Sequence, residues 1–271
     1  LGQKLFHLMT EGPEADLTLT ENAQPALMAV SVAVVRVLEK EGGFALSDKG
    51  AYVAGHSLGE YSALAAARAL TLADAARLLK LRGQAMQRAV PVCVGAMTAL
   101  LGADLEQAQK IAAEAAQGEI CAVANDNGGG QVVLSGHKGA IDRVPDLVKA
   151  HGVKRAMALA VSAPFHCPLM QRAADEMQEA LAGVAIAPPT LPVIANVTAR
   201  PSSDPETIRA QLVQQITAMV RWRESMLWLK EQGVLSLVEL GAGKVLSGLA
   251  RRIDPELSGS CLLYTSPSPR D

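Results

Sequence analysis

Aromatic side chains are scarce in this chain and make up 3% of its 271 residues. Its four cysteines (Cys93, Cys121, Cys167 and Cys261) show neither a C-x-x-C spacing nor a zinc pattern, which favours reduced thiols. No apolar run approaches the ~20 residues of a transmembrane helix, and no signal peptide is recognisable. The formal net charge of -2 gives no basic excess for nucleic acid or anionic membranes. We therefore expect a soluble, cytoplasmic monomer without metal or other cofactor.

Hydrophobic residues, by contrast, make up 49% of the chain. Short apolar segments alternate with helical patterns, which predicts an α/β fold with a largely parallel sheet. Residues 92–162 show the order β-α-β-β-α-β, which is the ferredoxin-like arrangement, and within it residues 125–130 are predicted to form a turn. This subdomain interrupts a larger domain of residues 1–91 and 163–257. Serine and proline then replace alanine and leucine, so we expect residues 258–271 to be a disordered or non-native tail.

The stretch Gly55-His-Ser-Leu-Gly59 matches the Gly-x-Ser-x-Gly pattern of a nucleophile elbow. In such a turn a serine between a strand and a helix is held in strained backbone geometry with its hydroxyl exposed, and the glycines let the turn close. Residues 51–54 are predicted to form a short strand before the turn, and residues 61–67 a helix after it. This context favours Ser57 as a nucleophile over a surface serine in a glycine-bounded turn.

A serine nucleophile needs a base, and the chain has five histidines: His7, His56, His137, His151 and His166. His56 is adjacent to the serine, so its side chain should point elsewhere, and three others lie in polar, surface-like segments. His166 lies in a proline-bracketed loop after a predicted strand, which would present one side chain rigidly. The spacing alone leaves a structural role for His166 equally open.

Arg82 lies on an otherwise apolar stripe of a predicted helix, together with Leu72, Ala75, Leu79 and Met86. A cation on an apolar face is costly unless it extends to water or meets an anion. A guanidinium in a pocket could instead bind a substrate carboxylate through two hydrogen bonds. Both readings are consistent with the stripe.

Five motifs in order along residues 1–257 resemble the malonyl-CoA:acyl-carrier-protein transacylases of bacterial fatty-acid synthesis. They are Gly55-His-Ser-Leu-Gly-Glu-Tyr-Ser-Ala-Leu64, Arg82-Gly-Gln-Ala-Met-Gln87, Gln131-Val-Val-Leu-Ser-Gly-His137, Ser162-Ala-Pro-Phe-His166 and Glu239-Leu-Gly-Ala-Gly-Lys-Val-Leu246. The resemblance implies an α/β-hydrolase-like parallel sheet domain with an inserted ferredoxin-like subdomain and an active site between them.

The same resemblance assigns roles to particular residues. It makes Ser57 the nucleophile, His166 the general base and Arg82 the partner of the malonyl carboxylate. The backbone carbonyl of Gln215 would orient the histidine, in place of an aspartate. The N–H of Leu58, the residue after the nucleophile, would bind the oxyanion.

The resemblance also implies ping-pong acyl transfer from malonyl-CoA, through a malonyl-serine ester, to the phosphopantetheine thiol of acyl carrier protein. Phe165 is similar to the malonyl-selecting form of its motif. Because acyl carrier proteins are acidic, we expect a basic docking patch, with Lys154 and Arg155 as candidates. An ordinary solvated strand end would explain these two residues equally well.

Two departures from the family pattern affect these expectations. The family's Gly-Gln-Gly-Ser-Gln loop, which supplies a second oxyanion donor, would lie upstream of Leu1. Losing one such donor costs ~10²–10³ in rate in other enzymes, so we expect the chain as given to be poorly active or unstable. Met219 stands where the family usually has proline, which leaves the path of the loop at Gln215 open.

Proteins of other functional classes could carry the same nucleophile elbow. A serine hydrolase or thioesterase normally has the order Ser, Asp/Glu, His, and four aspartates lie between Ser57 and His166: Asp104, Asp126, Asp142 and Asp146. All four fall in the predicted subdomain, away from the strand ends of the larger sheet, which disfavours a triad. An acyltransferase module of a polyketide synthase and an inactive fragment are the remaining alternatives.

Overall fold

The structure is a computed structural model that describes residues 1–91, 93–161 and 163–262. It is a mixed α/β fold. The helices are α1 (Leu5–Glu11), α2 (Glu14–Leu17), α3 (Thr20–Gly42), α4 (Leu46–Lys49), α5 (Gly59–Ala66), α6 (Leu72–Ala89), α7 (Leu105–Ala116), α8 (Lys138–Leu147), α9 (Gln171–Ala182), α10 (Pro205–Gln214), α11 (Trp222–Glu231) and α12 (Val245–Ile253). The strands are β1 (Val53–Ala54), β2 (Gly95–Leu101), β3 (Cys121–Gly128), β4 (Gln131–His137), β5 (Arg155–Ala158), β6 (Val193–Ala195), β7 (Arg200–Ser202), β8 (Ser236–Glu239) and β9 (Ser258–Cys261).

A three-stranded sheet of order β1-β6-β7 carries the elbow at one end. β1 and β6 are parallel, with Val53 opposite Val193, whereas β6 and β7 are antiparallel. β1 and β6 thus follow the predicted largely parallel arrangement, and the short β7 departs from it. The physical reason is the short connection at residues 196–199, because parallel strands need a crossover of a dozen or more residues.

A second sheet is built from β2 to β5 in the order β3-β4-β2-β5, with every pair antiparallel. The element order β2-α7-β3-β4-α8-β5 is the predicted one; we call this unit the four-stranded lobe. Residues 125–130 do not form a turn throughout, because Asn125–Gly128 continue β3. The predicted boundaries of this unit fall on Val92 and Ser162, which lie outside the described residues.

The four-stranded lobe is joined to the rest of the chain through β3. The Val220 N–H donates to the Ala124 carbonyl at 2.9 Å, and the Asp126 N–H donates to the Val220 carbonyl at 3.0 Å. Arg223 of α11 pairs with the buried Asp126 carboxylate at 2.8 Å. These contacts also give the path after Gln215: Val220, which follows Met219, forms an isolated parallel bridge with Asn125 of β3.

The first residues of the predicted disordered tail form a strand. Ser258–Cys261 form β9, parallel to β8, with Leu237 opposite Gly259. A Cβ on Gly259 would lie 2.8 Å from the Cα of Ser247, so the strand packs closely on α12. Alternate burial of Gly259 and Cys261 stabilises a segment whose composition indicates disorder. The remainder of the predicted tail, from residue 263 onward, lies outside the described residues.

The largest hydrophobic core lies among α3, α5, α6 and α9. Helices α3 and α6 approach most closely at Gly83, where a Cβ would lie 2.4 Å from the Cα of Glu21. The neighbouring Arg82 is buried on the same helix and is 1% exposed. Among the described residues no helix is both long and apolar enough to cross a membrane.

Candidate active site

Ser57 lies on the tight turn between β1 and α5, with the unusual φ of +54°. A non-glycine residue in this region is strained and is held there by its surroundings. Gly55 is required by contact, because a Cβ there would lie 1.9 Å from the carbonyl oxygen of Gly59. Gly59 itself faces open space among the described residues, so only the first glycine of the pattern is sterically necessary.

The structure brings Ser57, His166 and Gln215 into one hydrogen-bonded chain. His166 Nε2 lies 2.8 Å from Ser57 Oγ, and His166 Nδ1 lies 2.8 Å from the backbone carbonyl of Gln215. Because a carbonyl oxygen only accepts, Nδ1 carries the proton and Nε2 accepts from the serine hydroxyl. The imidazole is therefore in the tautomer that can remove the serine proton.

His166 is 4% exposed and has φ of +56°. Burial lowers the pKa of its imidazole to about 3, and the positive charge of Arg82 acts in the same direction. The histidine is therefore neutral over the physiological pH range and available as a proton acceptor.

Arg82 is 1% exposed, so it does not extend to water. Its Nη1 donates to Gln24 Oε1 at 2.8 Å, and its Nη2 donates to Gln215 Oε1 at 2.8 Å and to Ser57 Oγ at 3.1 Å. Its Nε has no hydrogen-bond partner among the described residues, and no carboxylate there forms an ion pair with it. Burial lowers the pKa of this guanidinium, while Tyr61 and Glu60 oppose that shift. A buried cation with only neutral direct partners can bind an anion that enters from outside.

Asn196 is hydrogen-bonded to the backbone of the turn that carries Ser57. This role was not predicted from the sequence. Asn196 follows β6 just as the elbow follows β1, and parallel strands end at the same edge of a sheet. Its Oδ1 accepts from the Ser57 N–H at 2.7 Å, and its Nδ2 donates to the Gly55 carbonyl at 2.8 Å. Two short hydrogen bonds from one amide thus hold the backbone on both sides of His56.

The side chain of Gln215 was also missed, although its carbonyl was predicted. It is fully buried, and its Nε2 donates to Glu60 Oε2 at 2.7 Å and to the Ser57 carbonyl at 3.1 Å. A polar residue at a helix position that faces the core is the sequence signal for such a hydrogen-bond partner. Gln24 and Glu60 are two examples, but the polar residues near them in the sequence made this signal hard to recognise.

The other histidines lie away from the serine hydroxyl. His56 Nε2 bonds Asn127 Oδ1 at 2.9 Å and its ring lies 5.5 Å from that of Trp222; burial lowers the pKa of this imidazole. His151 pairs with Glu114, and His7 pairs with Glu11.

None of the four aspartates weighed for a hydrolase triad bonds to His166. Asp104 caps α7, Asp126 pairs with Arg223, and Asp142 pairs with Lys138. Asp146 is exposed. The place that an aspartate takes in a triad is occupied here by the Gln215 carbonyl.

The remaining predicted residues lie around this centre. The N–H of Leu58, at the N-terminus of α5, has no acceptor among the described residues. Phe165 packs against both the largest core and the inner face of the four-stranded lobe. Lys154 and Arg155 are exposed and form no ion pair among the described residues. The described residues also contain no group of three or more metal-binding side chains.

The family model and the curated relative that match this chain both concern acyl transfer. The model of the acyl transferase domain matches residues 1–251. The malonyl CoA-acyl carrier protein transacylase of Escherichia coli (strain K12) is 45% identical over 262 residues, which cover 97% of this chain and 84% of that protein.

Two solved structures are similar over most of the chain. The acyl-carrier-protein-S-malonyltransferase from Bartonella henselae superposes with a TM-score of 0.93 and 51% identity, covering 96% of this chain and 82% of that one. A malonyl-transacylase in complex with its type II PKS acyl-carrier protein superposes with a TM-score of 0.92 and 45% identity, covering 96% of this chain and 83% of that one.

Proposed function

The chain belongs to the acyl transferase domain family, and from that premise we propose that it transfers a malonyl group from coenzyme A to the phosphopantetheine thiol of acyl carrier protein. One observation carries the proposal: Ser57 Oγ lies 2.8 Å from a neutral imidazole nitrogen and 3.1 Å from a buried guanidinium. That pairing places a nucleophile between a base and a carboxylate-binding cation. The chain is an acyltransferase, an [acyl-carrier-protein] S-malonyltransferase.

The first half-reaction acylates the enzyme. His166 Nε2 takes the proton of the Ser57 hydroxyl as Oγ attacks the malonyl thioester carbon. The C–S bond then breaks, and the departing sulfur of coenzyme A takes the proton back from His166. The Gln215 carbonyl stabilises the imidazolium that forms between these two transfers, because it accepts a hydrogen bond from the Nδ1–H at 2.8 Å.

The second half-reaction reverses the roles of oxygen and sulfur. The phosphopantetheine thiol gives its proton to His166 Nε2 and attacks the malonyl ester carbon. The C–O bond to Ser57 breaks and Oγ recovers the proton. In both steps the developing oxyanion would accept from the N–H of Leu58, which lies at the positive end of α5.

Arg82 holds the malonyl carboxylate during both steps. Its unpartnered Nε lies beside Nη2, and this guanidinium edge can bind the carboxylate through two parallel hydrogen bonds when Nη2 exchanges its bond to Ser57 Oγ for one to the substrate. Fixing the far end of the acyl group orients the ester for attack by the second thiol. Side chains of the chain itself thus supply the proposed chemistry without a cofactor.

A direct test uses malonyl-CoA with and without acyl carrier protein. The proposal predicts a malonyl ester on Ser57, visible by intact-protein and peptide mass spectrometry, that carrier protein discharges. Rapid release of free malonate without carrier protein would instead identify a hydrolase. Failure to form any ester would identify an inactive chain.

We expect malonylation of Ser57 to keep its rate as the pH falls from 8 to 5. An ordinary histidine with a pKa near 6.5 would be protonated over this range and lost as a base. Burial and Arg82 lower the pKa of His166 to about 3, so its neutral form persists throughout. The measurement is the single-turnover rate at saturating malonyl-CoA, with melting temperature recorded at each pH. A half-loss of rate near pH 6.5 in folded protein would contradict the assignment.

Lys154 and Arg155 are proposed to dock the acidic carrier protein. Along β5, Ala156 packs against the helices of the four-stranded lobe, so its neighbour Arg155 projects from the opposite face. Phe165 packs on that same face. Arg155 therefore lies on the face of the sheet that packs against Phe165, next to His166, and the exposed Lys154 precedes it at the start of the strand.

Reversing both charges, by Lys154→Glu and Arg155→Glu, is expected to raise the Michaelis constant for carrier protein by roughly tenfold. Malonylation of Ser57 by malonyl-CoA should not change. The matched control reverses Lys110 and Lys149, which lie on or next to the helices on the other face of the sheet. Equal effects of the two double variants would remove the docking assignment.

We also propose a finer fold assignment, a cytoplasmic location and a monomeric state for the protein. We assign the sheet of β1, β6 and β7 with its helices to an α/β-hydrolase-like domain, and the four-stranded lobe to a ferredoxin-like subdomain. The lobe's strand order, β3-β4-β2-β5 with all pairs antiparallel, supports the second assignment. All four cysteines are free thiols, which supports a reducing, cytoplasmic setting. We propose that the protein acts as a monomer.

A further inference from the structure

Glu60 is a buried acid that the mechanism above does not use. It lies in the first turn of α5, is 2% exposed, and forms no ion pair among the described residues. Its Oε2 accepts from the Asn196 N–H at 3.1 Å and from Gln215 Nε2 at 2.7 Å. A carboxyl group in this setting is either neutral or balanced by a charge nearby.

The charge nearby is Arg82, and the Gln215 amide lies between the two. A guanidinium only donates hydrogen bonds and a carboxylate only accepts them. The amide satisfies both, since its Oε1 accepts from Arg82 and its Nε2 donates to Glu60. The site therefore contains a cation, a bridging amide and an acid, with no direct contact between the guanidinium and the carboxyl group.

We propose that Glu60 is the counter-charge of Arg82 before substrate binds and takes up a proton from solvent when the malonyl carboxylate binds Arg82. The inference rests on the proposed function, because it requires a carboxylate on the substrate. Arg82 and ionised Glu60 together are neutral. Adding a substrate carboxylate would leave one excess negative charge in a buried site, and protonation of Glu60 removes it.

Among the titratable groups around Arg82, Glu60 is the one that can take up a proton when the substrate carboxylate binds. Burial raises the pKa of its carboxyl group to about 7, against the opposing effects of Asn196, Gln215 and Arg82. Tyr61, on the same helix, stays a neutral phenol because burial raises its pKa to about 12.

The two histidines near the serine also remain uncharged in this pH range. Burial lowers the pKa of His56, and burial with Arg82 lowers that of His166 to about 3. Arg82 stays charged, since arginine is not deprotonated in proteins. A proton taken up near pH 7 therefore goes to Glu60.

The experiment is calorimetric binding of malonyl-CoA to the Ser57→Ala variant, which cannot be acylated at this position. Titrations at pH 7.5 in buffers of different ionisation enthalpy report the protons exchanged. Acetyl-CoA is the matched ligand, because it has the same coenzyme and lacks the carboxylate. We expect roughly 0.5–0.8 proton more to be taken up with malonyl-CoA than with acetyl-CoA.

Linkage gives the sign of the accompanying pH dependence. Protonation of Glu60 favours the malonyl complex, so the dissociation constant for malonyl-CoA should rise, relative to that for acetyl-CoA, by on the order of tenfold between pH 6.5 and 8.5. Introducing Glu60→Gln should abolish both the extra proton and this dependence. Glu239→Gln, which alters the carboxylate that caps α12, should leave both unchanged.

The outcomes separate this inference from the proposed function. Equal affinity for malonyl-CoA and acetyl-CoA would refute carboxylate binding by Arg82, and the proposed function with it. Preference for malonyl-CoA without extra proton uptake would overturn the role of Glu60 alone. This second result needs no substitution at Glu60, so it decides the matter even if Glu60→Gln fails to fold. Proton uptake that persists in folded Glu60→Gln would also overturn it.

Discussion

The Ser57→Ala variant is expected to lose malonyl transfer by a factor on the order of 10⁴–10⁶. The reason is that both half-reactions pass through a bond to Ser57 Oγ, and no other hydroxyl is hydrogen-bonded to His166 among the described residues. The measurement is the rate of malonyl-carrier-protein formation, with intact mass to detect the ester.

Ser62→Ala is a suitable control for this variant. Ser62 lies on α5, the helix that follows the turn, and is buried, and its hydroxyl forms no hydrogen bond with Ser57, His166 or Arg82. It should therefore keep its activity. A Ser57→Ala protein that still accumulates malonyl ester at another residue would place the nucleophile elsewhere.

The Arg82→Ala variant is expected to lose its preference for malonyl-CoA over acetyl-CoA. Removing one partner of a buried charge pair costs about 2–5 kcal/mol, which corresponds to roughly 30- to 5,000-fold in kcat/KM for malonyl-CoA. Acetyl-CoA has no carboxylate, so its kcat/KM should fall far less. The measurement is the ratio of the two values in one preparation.

Stability must be checked alongside, since the substitution leaves Gln24 Oε1 and Gln215 Oε1 without their donor. Unsatisfied buried acceptors cost about 1–3 kcal/mol each. Arg88→Ala on the same helix removes an exposed pair with Glu176 and should change neither the ratio nor the fold. A proportional loss for both substrates in folded Arg82→Ala would show that Arg82 has no part in selecting malonyl.

Local patterns singled out three central residues as candidates, and the family resemblance gave them their roles. Ser57 follows from a short motif with its flanking strand and helix, Arg82 from helical periodicity, and His166 from a proline-bracketed loop. The partners that hold them were not predictable in this way. Asn196 bonds a residue 139 positions away, and Gln215 bonds one 158 positions away, so only the folded chain brings them together.

The fold shows the same division between local and non-local information. The long amphipathic helix α6 carries the predicted apolar stripe around Arg82, because periodicity over several turns is a strong signal. Strands β7 and β9 have three and four residues, too few to show alternation. In β3, turn-forming residues at Asn125–Gly128 pair with β4 because burial and cross-strand contacts override intrinsic preference.

The anchoring of the Ser57 main chain has a consequence for repeated turnover. Its N–H is bonded to Asn196 Oδ1, and its carbonyl accepts from Gln215 Nε2 and from the Glu60 N–H. None of these bonds involves Oγ, the only atom of the residue that changes its covalent partner. The free and the esterified protein can thus share one backbone geometry, so each cycle of loading and unloading proceeds with little reorganisation of the polypeptide.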